Sequence, residues 1–131
     1  MERSELELAV LQMRRNELVK SLMDAMSEGV FIIDEAARLL YANKRSQEIT
    51  GYRESELLGK NVIGELVIPE QQALVAMHFQ TRLKGETGAY ETVIVLKDGT
   101  KKVVRISAAP IRSPGHKTIA SIAILTENPP G

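Results

Sequence analysis

The 131-residue chain contains no cysteine and no tryptophan, and each absence removes a class of chemistry. Without cysteine there is no disulfide framework, no thiolate nucleophile and no thiolate-held metal. With three tyrosines and two phenylalanines as the whole aromatic complement, any core has to be built from aliphatic side chains. Charge of one sign is missing too: lysine plus arginine number 17, as do aspartate plus glutamate. No net field draws the chain to nucleic acid or to an anionic membrane. No apolar run approaches the ~20 residues that span a bilayer, and the start is too charged for a secretory signal. A cytoplasmic domain that contacts neither membrane nor nucleic acid is expected, and the length suits one domain with a real core.

What is present is strongly patterned. Residues 2–28 contain no glycine or proline and repeat hydrophobes at helical spacing. Leu8, Leu11, Leu18, Leu22 and Ala25 form a three-four seam that Ser4 and Arg15 interrupt, while Val10, Val19, Met23 and Met26 widen the stripe. One long helix is predicted, either lying on its own domain or pairing with a second chain as a coiled coil. Both can hold, with the first half pairing and the second half docking. Gly29 is expected to end this helix, and strands are predicted over 30–34 and 38–42. Asn43 stands where an N-cap belongs, for a helix over 44–50 that Gly51 stops. A short helix over 54–58 stops at Gly59, and Pro69 opens a longer one to about Lys84. Strands follow over 89–97, 101–110 and 117–126, the first two joined by a Lys97-Asp98-Gly99-Thr100 turn.

The chemistry-bearing residues are few. A nucleophile needs a base beside it, and the chain has two histidines. His116 sits in the turn Ser113-Pro114-Gly115-His116-Lys117, where a solvated role is expected. Carboxylate pairs such as Glu54 and Glu56 read as solvated, and no glycine-rich phosphate loop or Gly-Lys-Ser/Thr motif occurs. Catalysis and metal binding are therefore not expected. His78 falls near the edge of the apolar face of the long helix, the face formed by Val75, Ala76, Phe79 and Leu83.

Six short signatures occur in one order: Gly-Val-Phe-Ile-Ile-Asp (29–34), Tyr-Ala-Asn (41–43), Thr-Gly-Tyr (50–52), Glu-Leu-Leu-Gly-Lys (56–60), Lys-Asp-Gly-Thr (97–100) and Leu-Thr-Glu (125–127). Together they resemble a PAS domain, a sensory and dimerisation module. The resemblance implies an α+β fold in which helices cross one face of a five-stranded antiparallel sheet. It divides the chain into an N-terminal amphipathic helix (1–28), a PAS domain (29–127) and a tail (128–131). The face toward the helices would carry Phe31, Ile33, Ile94, Val104, Ile106, Ala108 and Ile122. With Ile49, Val62, Ala76, Phe79 and Leu83 these either close into a plain core or leave room for a small apolar ligand, with Thr92 and His78 as its polar contacts. The outer face would then be unusually apolar, through Val93, Val95, Val103, Ala109, Ala123 and Leu125. A homodimer is expected to bury Leu8, Leu11, Leu18 and Leu22 together with Val93, Val95, Val103, Ala123 and Leu125.

The same resemblance bears on cofactors. PAS haem sensors take a histidine from the long helix at a position that matches Leu74, one turn before His78. Gly59-Lys60-Asn61-Val62 is similar to the light-sensing subgroup's Gly-x-Asn-Cys, with valine where the photoactive cysteine would be. Ile94, Val104 and Ile122 replace the amides that would read a flavin ring. No cofactor is expected; the alternatives to a sensor of a small apolar ligand are a ligand-free interaction and assembly domain and, less favoured, a haem sensor using His78. Two departures from the family stand out: Ala37 replaces the usual first-turn glycine, and Ile124-Leu125-Thr126 replaces Asp-Ile-Thr. Pro129 and Pro130 argue against a helix running directly on to an output domain, so either the chain is an excised fragment or its output to a kinase, cyclase or transcription-factor domain runs through the N-terminal helix.

Overall fold

The computed structural model describes residues 5–112, 115 and 118–127. His116, Ser4 and the tail at 128–131 lie outside these residues. Five antiparallel strands form one sheet: β1 (Gly29–Asp34), β2 (Leu39–Ala42), β3 (Gly88–Val95), β4 (Lys101–Arg112) and β5 (Thr118–Glu127), in the order β2-β1-β5-β4-β3. Helices α3 (Lys44–Thr50), α4 (Glu54–Leu57), α5 (Val62–Leu66) and α6 (Pro69–Leu83) connect β2 to β3. The expected α+β architecture is present, with α5 as an element the sequence reading omitted. Asn61 starts it, its Oδ1 accepting from the Ile63 and Gly64 N–H groups.

The predicted single helix over 2–28 is two, α1 (Glu5–Arg15) and α2 (Glu17–Ala25). Asn16 breaks it by turning its side chain onto the Val19 N–H at 3.1 Å, so the backbone there is extended rather than helical. Nor does Gly29 end the helix, which stops at Ala25. Gly29 opens β1, and its missing Cβ is what lets the strand pass α3: a Cβ there would lie 2.9 Å from the Ser46 Cα.

Turns and caps follow local chemistry. Asn43 caps α3, and Gly51 terminates it at φ 78°. Ala37 is left-handed at φ 60°, so the position that carries glycine in the resembling family does need that conformation here. Asp34 offsets the strain by accepting the Ala36 and Arg38 N–H groups, both at 2.9 Å, and the Ala37 methyl is buried in the core.

The sheet packs on both faces. Inside, Phe31, Ile33, Leu39, Ile49, Leu57, Leu66, Phe79, Ile94 and Val104 form the main core. Outside, Leu6 and Val10 of α1 close over Ile32, Tyr41 and Ala120. Arg14 ties this layer down: its Nη1 and Nη2 donate to Glu54 at 2.8 and 3.0 Å, Nη2 also donates to the Leu40 carbonyl, and its guanidinium lies 5.0 Å from the Tyr41 ring centre. Glu54 in turn accepts the Ala42 N–H at 2.7 Å.

One parity expectation is corrected. β5 pairs with β1 as Phe31↔Ala123 and Ile32↔Ile122, and with β4 as Ile106↔Leu125 and Ala108↔Ala123. Ala123 and Leu125 therefore face inward, and Ile122 faces outward. The sequence reading had them reversed. A shift of one residue along a strand exchanges its faces, and a segment apolar at 122, 123, 124 and 125 has no alternation to reveal which residues point in.

Candidate functional site

Between the inner sheet face and helices α5 and α6 lies an apolar cavity of about 60 Å³. The helical wall is Val62, Ile63 and Leu66 of α5, with Val67 just after it, and Val75, His78, Phe79 and Arg82 of α6. The sheet wall is Phe31 and Ile33 from β1, Tyr90 and Ile94 from β3, Ile106 and Ala108 from β4, and Ser121, Ala123 and Leu125 from β5. The alternation of each strand brings every second residue to this wall, which explains the spacing of the set.

Eight of the residues expected in a pocket line it: Phe31, Ile33, Val62, His78, Phe79, Ile94, Ile106 and Ala108. Six do not. Ile49 and Val104 are fully buried core below it, Leu83 packs against that core, and Ala76 lies half-buried on α6 away from the cavity. Ile122 is on the opposite face. Thr92 is buried but engaged elsewhere, its hydroxyl donating to Gln71 Oε1, which also accepts the Val93 N–H at 3.1 Å. Hence Thr92 pins β3 to α6 instead of serving the cavity. Leu74, the position that matches a haem-ligating histidine in the resembling family, is 53% exposed on α6 and points away.

His78 is half-buried at the cavity wall, its ring stacked on Tyr90 with centroids 4.1 Å apart and planes 8° from parallel. Burial pushes the Tyr90 hydroxyl up to about 12, with the nearby Arg82 charge pulling the other way. Tyr90 is thus a neutral hydroxyl at any ordinary pH. Arg82 was not singled out from the sequence, because an arginine in the last turn of a helix usually reads as solvated. It is instead 4% exposed, donating from Nε to the His78 carbonyl at 3.2 Å and from Nη1 to the Glu86 carbonyl at 3.0 Å. Ser121, also missed, has its hydroxyl only 3.4 Å from the Ile122 carbonyl.

A second constellation ties the sheet and α3 to the N-terminal helices. Asn43, fully buried, accepts the Val30 N–H at 2.8 Å and the Ser46 N–H at 3.0 Å on Oδ1. Its Nδ2 donates to the Met23 and Glu28 carbonyls at 2.9 and 3.1 Å. One side chain thereby joins α2, the entry to β1 and the start of α3. The residues expected at a dimer seam are exposed on α1 and α2: Leu8 at 49%, Leu18 at 69% and Leu22 at 61%, with Leu11 half-buried. On β3 and β4, Val93 and Val95 are half-buried and Val103 is exposed. Among the described residues no cluster of histidine, aspartate and glutamate could hold a metal ion, and no helix is long and apolar enough to cross a membrane.

Comparison with known proteins agrees with this geometry. A family model described as the PAS fold matches residues 17–127. Among solved structures, the PAS domain of an HTR-like protein from Haloarcula marismortui is 19% identical, covering 96% of this chain and 100% of that one, with a TM-score of 0.73. A domain of a sensory box sensor histidine kinase/response regulator from Geobacter sulfurreducens is 21% identical over 89% of this chain and 96% of its own, at a TM-score of 0.71. The PAS domain of the Cronobacter turicensis RpfR quorum-sensing receptor, solved in complex with BDSF, is 19% identical over 79% of this chain and 96% of its own, at 0.68. No curated protein matches the sequence.

Proposed function

The chain belongs to the PAS family, and we propose that it is a cytoplasmic sensory and dimerisation module of a bacterial or archaeal signal-transduction protein. It binds a small, mainly apolar ligand and passes the change to an output domain: a histidine kinase, a cyclase or a transcriptional regulator. Its work is binding, not catalysis. The observation that carries this reading is the two-faced sheet. In β1, Phe31 and Ile33 face the cavity while Ile32, between them, packs under Leu6 and Val10 of α1. Whatever shifts the cavity wall shifts the seat of the N-terminal helix by the same strand. The similarity to domains of sensor histidine kinases supports the class of output.

Haem and flavin do not suit this cavity. Its volume of about 60 Å³ is far below the ~300 Å³ or more of pockets for ligands of that size. His78 is engaged in a parallel stack with Tyr90, and no side-chain amide lines the wall to read a flavin ring. A slender ligand that parts the aliphatic side chains fits better.

The dimer reading rests on exposed leucines. Leu8 on α1 and Leu18 and Leu22 on α2 are exposed hydrophobes that a second copy would cover, although the break at Asn16 divides the predicted seam between two helices. Val93, Val95 and Val103 extend the surface over the part of the sheet away from α1. Mass spectrometry of an organic extract of the purified protein tests the sensor reading: a stoichiometric small molecule is expected. A pure protein with no extractable ligand, whose α1 and α2 exchange rates ignore every compound offered, would favour an assembly domain with a closed core.

A further inference from the structure

We propose that α1 is exchanged between two copies of this chain: it leaves its own sheet, the junction at Asn16 straightens, and it takes the same seat on the partner. The proposal rests on the dimer reading above and specifies how that dimer is built. Leu8, Leu11, Leu18, Leu22 and Ala25 keep a three-four spacing across residue 16, yet the helix stops there. At Asn16 ψ is 107°, a turn of about 150° about one bond from the helical value, so α1 and α2 cannot share an axis and the seam is cut in two. Helices of 11 and 9 residues are short for a stable pairing, whereas one helix over 5–25 carries three heptads. A single residue joins them. So short a hinge inside a continuous repeat favours the exchanged form, in which the hinge becomes helix and the Glu17, Leu18 and Val19 N–H groups reach the carbonyls four residues back.

The seat selects its occupant. Leu6 and Val10 are buried against Ile32, Tyr41 and Ala120, and Met13 packs on the same cluster. At ~100° per residue Leu6, Val10 and Met13 lie on the side of α1 opposite Leu8 and Leu11, so a seated helix still presents its half of the seam. Charge completes the fit, since Arg14 donates to both Glu54 oxygens at 2.8 and 3.0 Å. A copy whose α1 has left bares that apolar patch and the Glu54 carboxylate. The α1 of a second copy carries the matching side chains because it is the same sequence. Exchange therefore restores every docking contact and adds a continuous seam, in a closed two-fold arrangement. Arg15, exposed at the seam position between Leu11 and Leu18, is a charge that burial disfavours, which offsets part of the gain and keeps both forms within reach.

The test mixes two variants of the full chain, Arg14→Glu and Glu54→Arg. Each sets like charges together both in its own seat and in a dimer with itself; only exchange between the two variants pairs opposite charges at both seats. Native mass spectrometry should show mixed dimers exceeding like dimers by at least about tenfold, since like-charge contacts are strongly disfavoured. Proteolysis at 5–15 should slow in the mixture relative to either variant alone. A second measurement uses the otherwise unaltered sequence, which has no cysteine: spin labels on Glu5→Cys and Ser21→Cys, both exposed sites, in dimers diluted with unlabelled chain. Sixteen residues of straight helix place them ~24 Å apart along the axis, and the bent junction holds them closer. A statistical mixture of dimers with α1 still cleaved, or a dimer that keeps the shorter distance, would overturn the exchange and leave the dimer reading intact. A native chain that stays monomeric at tens of micromolar would overturn both.

Discussion

Replacing Asn43 by alanine removes four hydrogen bonds at a fully buried position. The N-cap of α3 is lost, at roughly 1 kcal/mol. The Val30 N–H, at the second residue of β1, is left without its acceptor, at roughly 1–3 kcal/mol. The Met23 and Glu28 carbonyls lie in partly buried surroundings and can turn to water, so they add little. The sum is about 2–4 kcal/mol, several degrees of melting temperature per kcal/mol for a domain of this size. Asn43→Asp separates the two halves of the side chain. It keeps both acceptor bonds but sets a carboxylate oxygen against two carbonyls, so it should free α2 while sparing α3. Urea unfolding gives the energies, and hydrogen exchange resolved by segment gives the location: faster exchange at 17–25 in both variants, and at 44–50 in Asn43→Ala alone. A loss below ~0.5 kcal/mol for the alanine variant, or exchange in α2 unchanged by aspartate, would refute the claim that this side chain is the joint between the N-terminal helices and the domain.

Glu54→Ala should release α1, since it strips Arg14 of its two carboxylate bonds and the Ala42 N–H of its acceptor; proteolysis near residues 5–15 should quicken, and an unchanged cleavage rate counts against this latch. Tyr90 has a folded-state pKa above that of the free side chain, so its contribution is complete below about pH 10 and declines as pH rises toward 12. Tyr90→Phe should accordingly flatten the fall in stability across that window, by no more than about 2–3 kcal/mol, and an identical slope in the variant argues against a buried hydroxyl. Leu18→Glu together with Leu22→Glu should shift the chain from dimer to monomer in light scattering without altering its melting of helix and sheet; a monomeric native protein at tens of micromolar contradicts the seam.

Local chemistry wrote much of this fold directly into the sequence. Asn43, Gly51 and Pro69 mark helix boundaries through side-chain acceptors, a left-handed glycine and a fixed φ, and all three act within a few residues of themselves. The order of the strands and long helix followed from such signals, whereas which strand faces turn toward the helices was implied by the resemblance to the PAS fold; eight of the residues so expected line the cavity. Asn16 was an equally local signal, an N-cap hidden inside a helical hydrophobic repeat that outweighed it.

Three things were decided only by tertiary structure. Ala123 and Leu125 line the cavity and Ile122 does not, because pairing with β1 and β4 sets the register of a strand whose own residues are apolar on both sides. Thr92 is occupied by Gln71, twenty-one positions away in the chain, so its polarity is unavailable to a ligand. Arg82 is buried because Gly88 leaves room for it against the sheet, a fit that no periodicity encodes. Caps and turns are short-range and therefore legible; faces, partners and the burial of a charge depend on which distant backbone arrives alongside.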